Sequence, residues 1–204
     1  MTSAVPHRQG RLRTRVAVFV CLAILLIALD QFTKHLAVTR LADGERHVII
    51  PRFLSLRLLF NPGATLGMGS GSTWIIALAA AAACIVLVVL LFHTVSMKWT
   101  VALTIAFAGA AGNLIDRVAN SDALNSAYTA GVSGFQSYLN GAVTDFLDYG
   151  WSVGNVADVF LSVAAVIIVV LVFRSEPFSE KSLAEQAADE NSDENSTEAL
   201  DSHE

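Results

Sequence analysis

The chain has 204 residues, 54% of them hydrophobic and 15% charged, against about 45–50% and about 25% in ordinary soluble domains. Its net charge of −5 is divided unevenly: residues 1–175 hold 12 Lys and Arg against 8 Asp and Glu, whereas residues 176–204 hold one against 10. A very apolar, mildly basic body with an acidic tail argues against a soluble globular enzyme and an acidic nucleic-acid mimic, and bases not gathered on a polar face argue against nucleic-acid binding.

The N-terminal stretch 1–15 carries Arg8, Arg11, Arg13 and Arg15 and leads into a first apolar run, Val16 to about Thr33. It reads as a retained helix rather than a cleaved leader. It ends in Ala28-Leu29-Asp30-Gln31 without a small-x-small cleavage site, and three more apolar runs follow. Residues 34–60 form a loop in which Leu54, Leu56, Leu58 and Phe60 alternate with Ser55 and Arg57. That is a strand signal, and Val48-Ile49-Ile50, ended by Pro51, is its expected partner in a small sheet lying on the membrane face.

The remaining runs are Trp74–His93, Trp99 to about Ile115, and Val153–Phe173. Each of the four approaches the roughly 17–25 residues of a bilayer-crossing helix. The Gly-, Ser- and Asn-rich loop 117–152 is expected to hold turns and a short helix, and the tail 175–204 to lack structure. The fold class is therefore mainly α, a multi-pass membrane protein whose four-helix body covers 16–174. The N-terminal arginines place both termini in the cytoplasm, with four spans between them. Cys21 and Cys84 lie inside apolar runs and read as small buried hydrophobes rather than a disulfide.

On that topology the acids near the membrane converge on its outer side. Asp30 and Lys34 end the first span, and Asn61 and Gly63 precede the second. Asn113, Asp116 and Arg117 end the third, and Asn155 and Asp158 open the fourth, with Asp145 just before it. Asn113, Asp116 and Arg117 share a helix face at i, i+3, i+4. Asp30 and Lys34, at i, i+4, suit a structural ion pair, and Gly109 to Gly112 form a small-residue patch for close helix contact.

Two carboxylates held together at low dielectric share a proton, which supplies one general base and one general acid. Such a pair activates water without a metal, a cofactor or a covalent nucleophile. Other chemistries fit less well. Gly131-Val132-Ser133-Gly134 matches a GxSG serine motif, but the only later histidine is His203, in the tail. No HExxH exists for zinc, and His7, His35, His47, His93 and His203 are scattered. A proton-coupled carrier would use acids at midplane and inverted repeats, and a purely structural membrane protein would leave the acids without a purpose. The plain readings are an ion pair for Asp30, support for Asp116, a helix-start acid for Asp158, and solvated loop charges for Asp43, Glu45, Asp122 and Asp148.

Five motifs resemble, in order, those of the lipoprotein signal peptidase (signal peptidase II) family. They are Asp30-Gln31-Phe32-Thr33-Lys34 (DQxxK), Phe60-Asn61-Pro62-Gly63-Ala64 (FNxGA), Gly109–Arg117 (GxxGNxxDR), Val143–Phe146 (VxDF) and Asn155–Asp158 (NxAD). The resemblance implies that Asp145 and Asp158 are the catalytic pair. Asn113, Asp116, Arg117 and Asn155 would support them, while Asp30, Lys34, Asn61, Gly63, Ala64, Gly109 and Gly112 would shape the fold and the substrate groove. It implies an extracytoplasmic β-cradle and an aspartic endopeptidase of the bacterial cell membrane, acting as a monomer among membrane lipid. The expected substrate is a prolipoprotein with a diacylglyceryl-cysteine, cut just before that residue. Two departures stand out: about 25 residues separate Arg117 from Val143, longer than usual, and Thr-Leu-Gly-Met-Gly follows Ala64 where the family is more aromatic.

Overall fold

The computed structural model describes residues 5–63, 73–120, 139 and 141–188, residues 5–10 by their backbone alone. Helix α1 (Val5–Arg40) has 36 residues, about 54 Å at 1.5 Å per residue. It exceeds a hydrocarbon layer of about 30 Å, so the apolar run 16–33 lies inside a longer rod. Strands β1 (His47–Ile50) and β2 (Leu54–Asn61) follow, then helices α2 (Thr73–His93) and α3 (Met97–Ala119). Strands β3 (Val143–Asp148) and β4 (Val153–Gly154) precede helix α4 (Val156–Phe173), and residues 180–188 form a last helix, α5. Among the described residues four helices are long and apolar enough to cross a membrane.

Helix α3 is the centre of the bundle. Of its apolar window 56% is buried, against 17% or less in the other three, and it packs on α1, α2 and α4. Its Ala, Gly and Thr content allows this. Thr100 and Thr104 are fully buried and donate their hydroxyls to the carbonyls of Ser96 (3.0 Å) and Thr100 (2.6 Å), which satisfies them where water is absent. Phe19 of α1 meets Phe107 of α3 with ring centroids 5.0 Å apart. Cys21 and Cys84 are free thiols, but not core residues as expected: Cys21 is exposed on the surface of the bundle and Cys84 half-buried.

The expected hairpin is present, and it is half of a four-stranded antiparallel sheet in the order β1-β2-β3-β4. Val143–Asp148, expected to be loop, is a strand because β2 pairs with it from Ser55↔Asp148 to Asn61↔Val143. A register shift between Leu56 and Leu59 interrupts the alternation, leaving Ser55 buried and Leu59 exposed. The end of α1 sits on this sheet: Ala37, Leu41 and Phe146 form a core with Leu56, Leu58, Leu147 and Val156 around it. The fourth apolar run begins as β4 rather than helix, because Val153 and Gly154 pair with Asp148 and Leu147. Asn155 then caps α4.

At the opposite end the chain is ordered past Ser175, where an unstructured tail was expected. Glu176 accepts from the Ser96 hydroxyl (2.9 Å) and pairs with Lys98 (2.6 Å), and these two partners hold its carboxyl below its ordinary range. Phe178 stands edge-on to Trp99 at 5.2 Å, and the Trp99 indole donates to the Glu176 carbonyl. The tail after 188, and the GxSG at 131–134, lie outside the described residues.

Gly109 lets α3 and α4 touch. A Cβ there would stand 2.6 Å from the Ala157 carbonyl oxygen and 2.8 Å from the Leu161 side chain. Overpacking of this kind costs about 1–3 kcal/mol. Gly109→Ala is therefore expected to lower the thermal unfolding midpoint in detergent; an unchanged midpoint would contradict the close approach of the helices.

Candidate active site

The site is built where α1 and α3 end, α4 begins and the sheet covers them. Its base is a network around Lys34. The ammonium stands 2.8 Å from Asp30 Oδ2 and 3.1 Å from Asp116 Oδ2, and it reaches Asn113 Oδ1 at 3.2 Å and the Gly112 carbonyl at 3.4 Å. Gln31 donates to Asp30 (3.1 Å), to Asp116 (3.1 Å) and to the Gly112 carbonyl (3.3 Å). Asp30 is wholly buried, and its other oxygen accepts from the backbone N–H of Ala157 at 2.9 Å. Asp116 accepts from the Thr144 N–H at 2.9 Å. The Asp30–Lys34 pair expected from spacing is thus real, and Asp116 joins it.

Gly112 is required by this network. A Cβ on it would lie 2.5 Å from Asp30 Oδ2, so the carboxylate occupies the space that any larger residue would claim.

A second layer holds Asp145 and Asp158, and it contains only amide donors. Asp145, on β3, is 2% exposed. It accepts from the Asn61 side chain at 2.9 Å and the Asn155 side chain at 2.6 Å. Asp158, half-buried, accepts from the Asn113 side chain at 2.9 Å and the Asn155 backbone N–H at 3.1 Å. Asn155 therefore touches both carboxylates, one through its side chain and one through its backbone. Asn155 and Asp158 were expected to open the fourth span within one continuous helix. They form a capping box instead, Asn155 at the cap and Asp158 at the third helical position.

Burial pushes the Asp145 carboxyl from its ordinary 3.8 up to about 6; the Asp158 charge adds to this, while the hydrogen bonds from Asn61 and Asn155 and the Lys34 charge oppose it.

Arg117 does not pair with the acids. It donates to the Gly63 carbonyl at 2.6 Å. Gly63 N–H donates to Asn61 Oδ1 at 3.0 Å, and Asn61 donates to Asp145. Arg117 thus orients Asp145 through two intermediates. Ala64 lies outside the described residues.

Three features were not read from the sequence. Gln31 was noted only as a motif letter, although its amide serves three acceptors. Asp148 is no solvated loop acid: it is 7% exposed, pairs with Arg46 at 2.8 Å and accepts from Gly150 N–H at 2.7 Å. Gly150 turns with φ +87°, a conformation suited to glycine. The third is Tyr149, whose phenol is held above its ordinary range by burial and by the charges of Asp158 and Asp145. Among the described residues no three His, Cys, Asp or Glu side chains gather as a metal ion would need.

Four spanning helices capped by a small sheet over buried carboxylates define a multi-pass membrane enzyme. A family model described as signal peptidase (SPase) II matches residues 22–174. The lipoprotein signal peptidase of Bifidobacterium longum subsp. infantis is 53% identical over 181 residues, 89% of this chain and 92% of its own length. That of Bifidobacterium adolescentis is 56% identical over 177 residues, 87% of each chain, and that of Rhodococcus jostii 34% identical, covering 83% of this chain and 79% of its own. Among solved structures, a bacterial membrane enzyme determined by the in meso method at 2.3 Å superimposes with a TM-score of 0.64 at 26% identity, over 78% of this chain and 90% of that one. The chain belongs to the signal peptidase II family, a family of peptidases.

Removing the single cation of the network leaves Asp30 and Asp116 buried without a counter-charge. Lys34→Met is expected to destabilise the fold by about 3–5 kcal/mol, read as a lower unfolding midpoint in detergent. A midpoint equal to wild type would show that the network is not structural.

Proposed function

We propose that this protein is an aspartic endopeptidase that removes signal peptides from prolipoproteins carrying a diacylglyceryl-cysteine, cutting just before that cysteine. The carrying observation is Asn155, which holds Asp145 and Asp158 in one hydrogen-bonded unit. The names of the relatives support the substrate class.

Asp145 is the acid of the pair. It is buried, its carboxyl titrates near 6, and it keeps a proton more readily than an ordinary aspartate. Asp158 reaches the surface, where a water can approach it, and acts as base. The base takes a proton from that water as its oxygen attacks the scissile carbonyl carbon. The acid gives its proton to the carbonyl oxygen, and a neutral gem-diol forms. In the second half Asp158 gives the proton it took to the leaving nitrogen as the C–N bond breaks, and Asp145 takes one back from a gem-diol hydroxyl as that becomes the product carboxyl, so the starting protonation is restored. Arg117, Gly63 and Asn61 keep Asp145 in place, and Asn113 keeps Asp158. The remaining predicted groove residues, Gly109 and Gly112, act by letting the helices approach.

The arginines Arg11, Arg13 and Arg15 lie on α1 at the end away from the sheet. By the positive-inside rule this supports a topology with both termini in the cytoplasm and the site near the outer face of the cell membrane, and the proposed enzyme acts as a monomer surrounded by lipid.

Asp145→Asn and Asp158→Asn are each expected to lower kcat on a diacylglyceryl-modified prolipoprotein by about 10²–10⁴-fold or more, with folding retained. Asp43→Asn is the control, because Asp43 is exposed; Asp148 is unsuitable, being buried and paired. Full activity in either site variant would overturn the assignment.

The pH profile follows from the raised value of Asp145. The pair works with one proton, which is lost as pH rises through about 6 in the free enzyme. kcat/KM is therefore expected to fall on the alkaline side of that value, and kcat, which reports the covered site, to fall at higher pH. The Asn61 hydrogen bond favours the ionised carboxyl, so Asn61→Ala should move the alkaline limb upward. A downward shift would exclude Asp145 as the acid.

A further inference from the structure

The sheet register places two turns side by side. Val48 pairs with Ser55, Ser55 with Asp148 and Asp148 with Val153. These pairs form one row at one end of the sheet, and the turns 51–53 and 149–152 both lie just beyond it. This end carries large apolar side chains facing outward: Trp151 is 76% exposed and Phe53 67%, and the three consecutive residues Val48, Ile49 and Ile50 are each about half exposed. The Tyr149 and Trp151 rings stack at 6.3 Å. Arg46 reaches across β2 to Asp148 at 2.8 Å and fastens β1 to the end of β3.

We propose that this end of the sheet is a membrane anchor whose partner is the headgroup and upper acyl region of an anionic phospholipid layer. Charge supports this occupant. No acid occurs between Val48 and Leu58, whereas Arg52 and Arg57 are exposed there. Asp148 is already neutralised by Arg46, and the exposed Asp43 and Glu45 precede β1, at the far end of that strand. Arginines beside Trp, Phe and Ile suit a layer that is anionic at its surface and apolar beneath.

The strand itself sets the depth. Among the described residues β1 is an edge strand, with one side of its backbone outside the sheet. A free edge cannot lie in hydrocarbon, where its N–H and C=O groups would find no partner, but in the interfacial region water and headgroups satisfy them. A run of three exposed β-branched residues on an edge would equally be an aggregation hazard in water. The interface resolves both conflicts. The anchor would then hold β3, and Asp145 with it, at a fixed height relative to the lipid.

Trp151 emission tests the proposal without reference to cleavage. The full chain and its Trp151→Phe variant are placed in phosphatidylglycerol vesicles, and the difference between their spectra isolates Trp151. The expected result is strong quenching by lipids brominated at shallow acyl positions, little quenching by aqueous iodide, and weaker lipid quenching after Arg52→Glu with Arg57→Glu. Iodide quenching without lipid quenching would overturn it. So would shielding of Trp151 that appears only at high protein-to-lipid ratio, which would point to a second copy, or only on adding a prolipoprotein, which would point to substrate.

Discussion

A carboxylate with no water around it must find its partners in the chain, and Asp30 finds them in three helices. Its neighbours are Lys34 and Gln31 on α1, the close backbone of Gly112 on α3, and the first turn of α4 through Ala157 N–H. Lys34 extends the unit to Asp116, and Asp116 to Thr144 at the start of β3. One cation and two anions thereby fix α1, α3, α4 and the sheet relative to one another. Breaking such a buried set by removing one member leaves an uncompensated charge, so the geometry above it has little freedom.

That geometry divides the acids into two kinds. Asp30 and Asp116 each lie within 3.1 Å of an ammonium nitrogen, a full positive charge beside each. Asp145 and Asp158 receive only amide N–H groups. Amides orient a carboxylate without supplying a full positive charge, so a proton can stay on the pair. The guanidinium of Arg117 could have collapsed the distinction, yet its hydrogen bonds go to the carbonyls of Gly63 and Gly141. Which aspartates suit the proposed acid–base role is therefore set by burial together with the kind of donor beside each.

Much of this was legible in the residues. The four spans follow from apolar run length, the β1–β2 hairpin from the alternation before and after Pro51, and the Asp30–Lys34 pair from i, i+4 spacing. The unread parts depend on contacts between residues far apart in the chain. Val143–Asp148 is short and follows a Gly- and Ser-rich stretch, and it becomes a strand only because β2 lies beside it. Asp148 looked solvated because Arg46, its partner, is about a hundred positions away. Asn155 and Asp158 have helical spacing, but spacing alone does not separate a helix face from a cap, since both place residues three apart. The first part of the tail holds on to the bundle through Glu176 and Phe178, two residues that composition averages into an acidic, polar segment.

The capping arrangement also gives a physical reason for the proposed chemistry to sit at the end of a helix rather than within one. Inside a spanning helix every backbone N–H is used by a carbonyl four residues earlier. Only the first turn has N–H groups to spare. In α4 these go to the site: Asn155 N–H to Asp158, Ala157 N–H to Asp30, and Asp158 N–H to the Asn155 side chain. A helix start therefore supplies fixed donors for carboxylates at a depth where no water need be trapped to do so. It also leaves the half-buried Asp158 within reach of the water that hydrolysis consumes. A site at the middle of the bundle would have the low dielectric but neither the donors nor the water, and one on the loops would have both but could not hold a proton on Asp145.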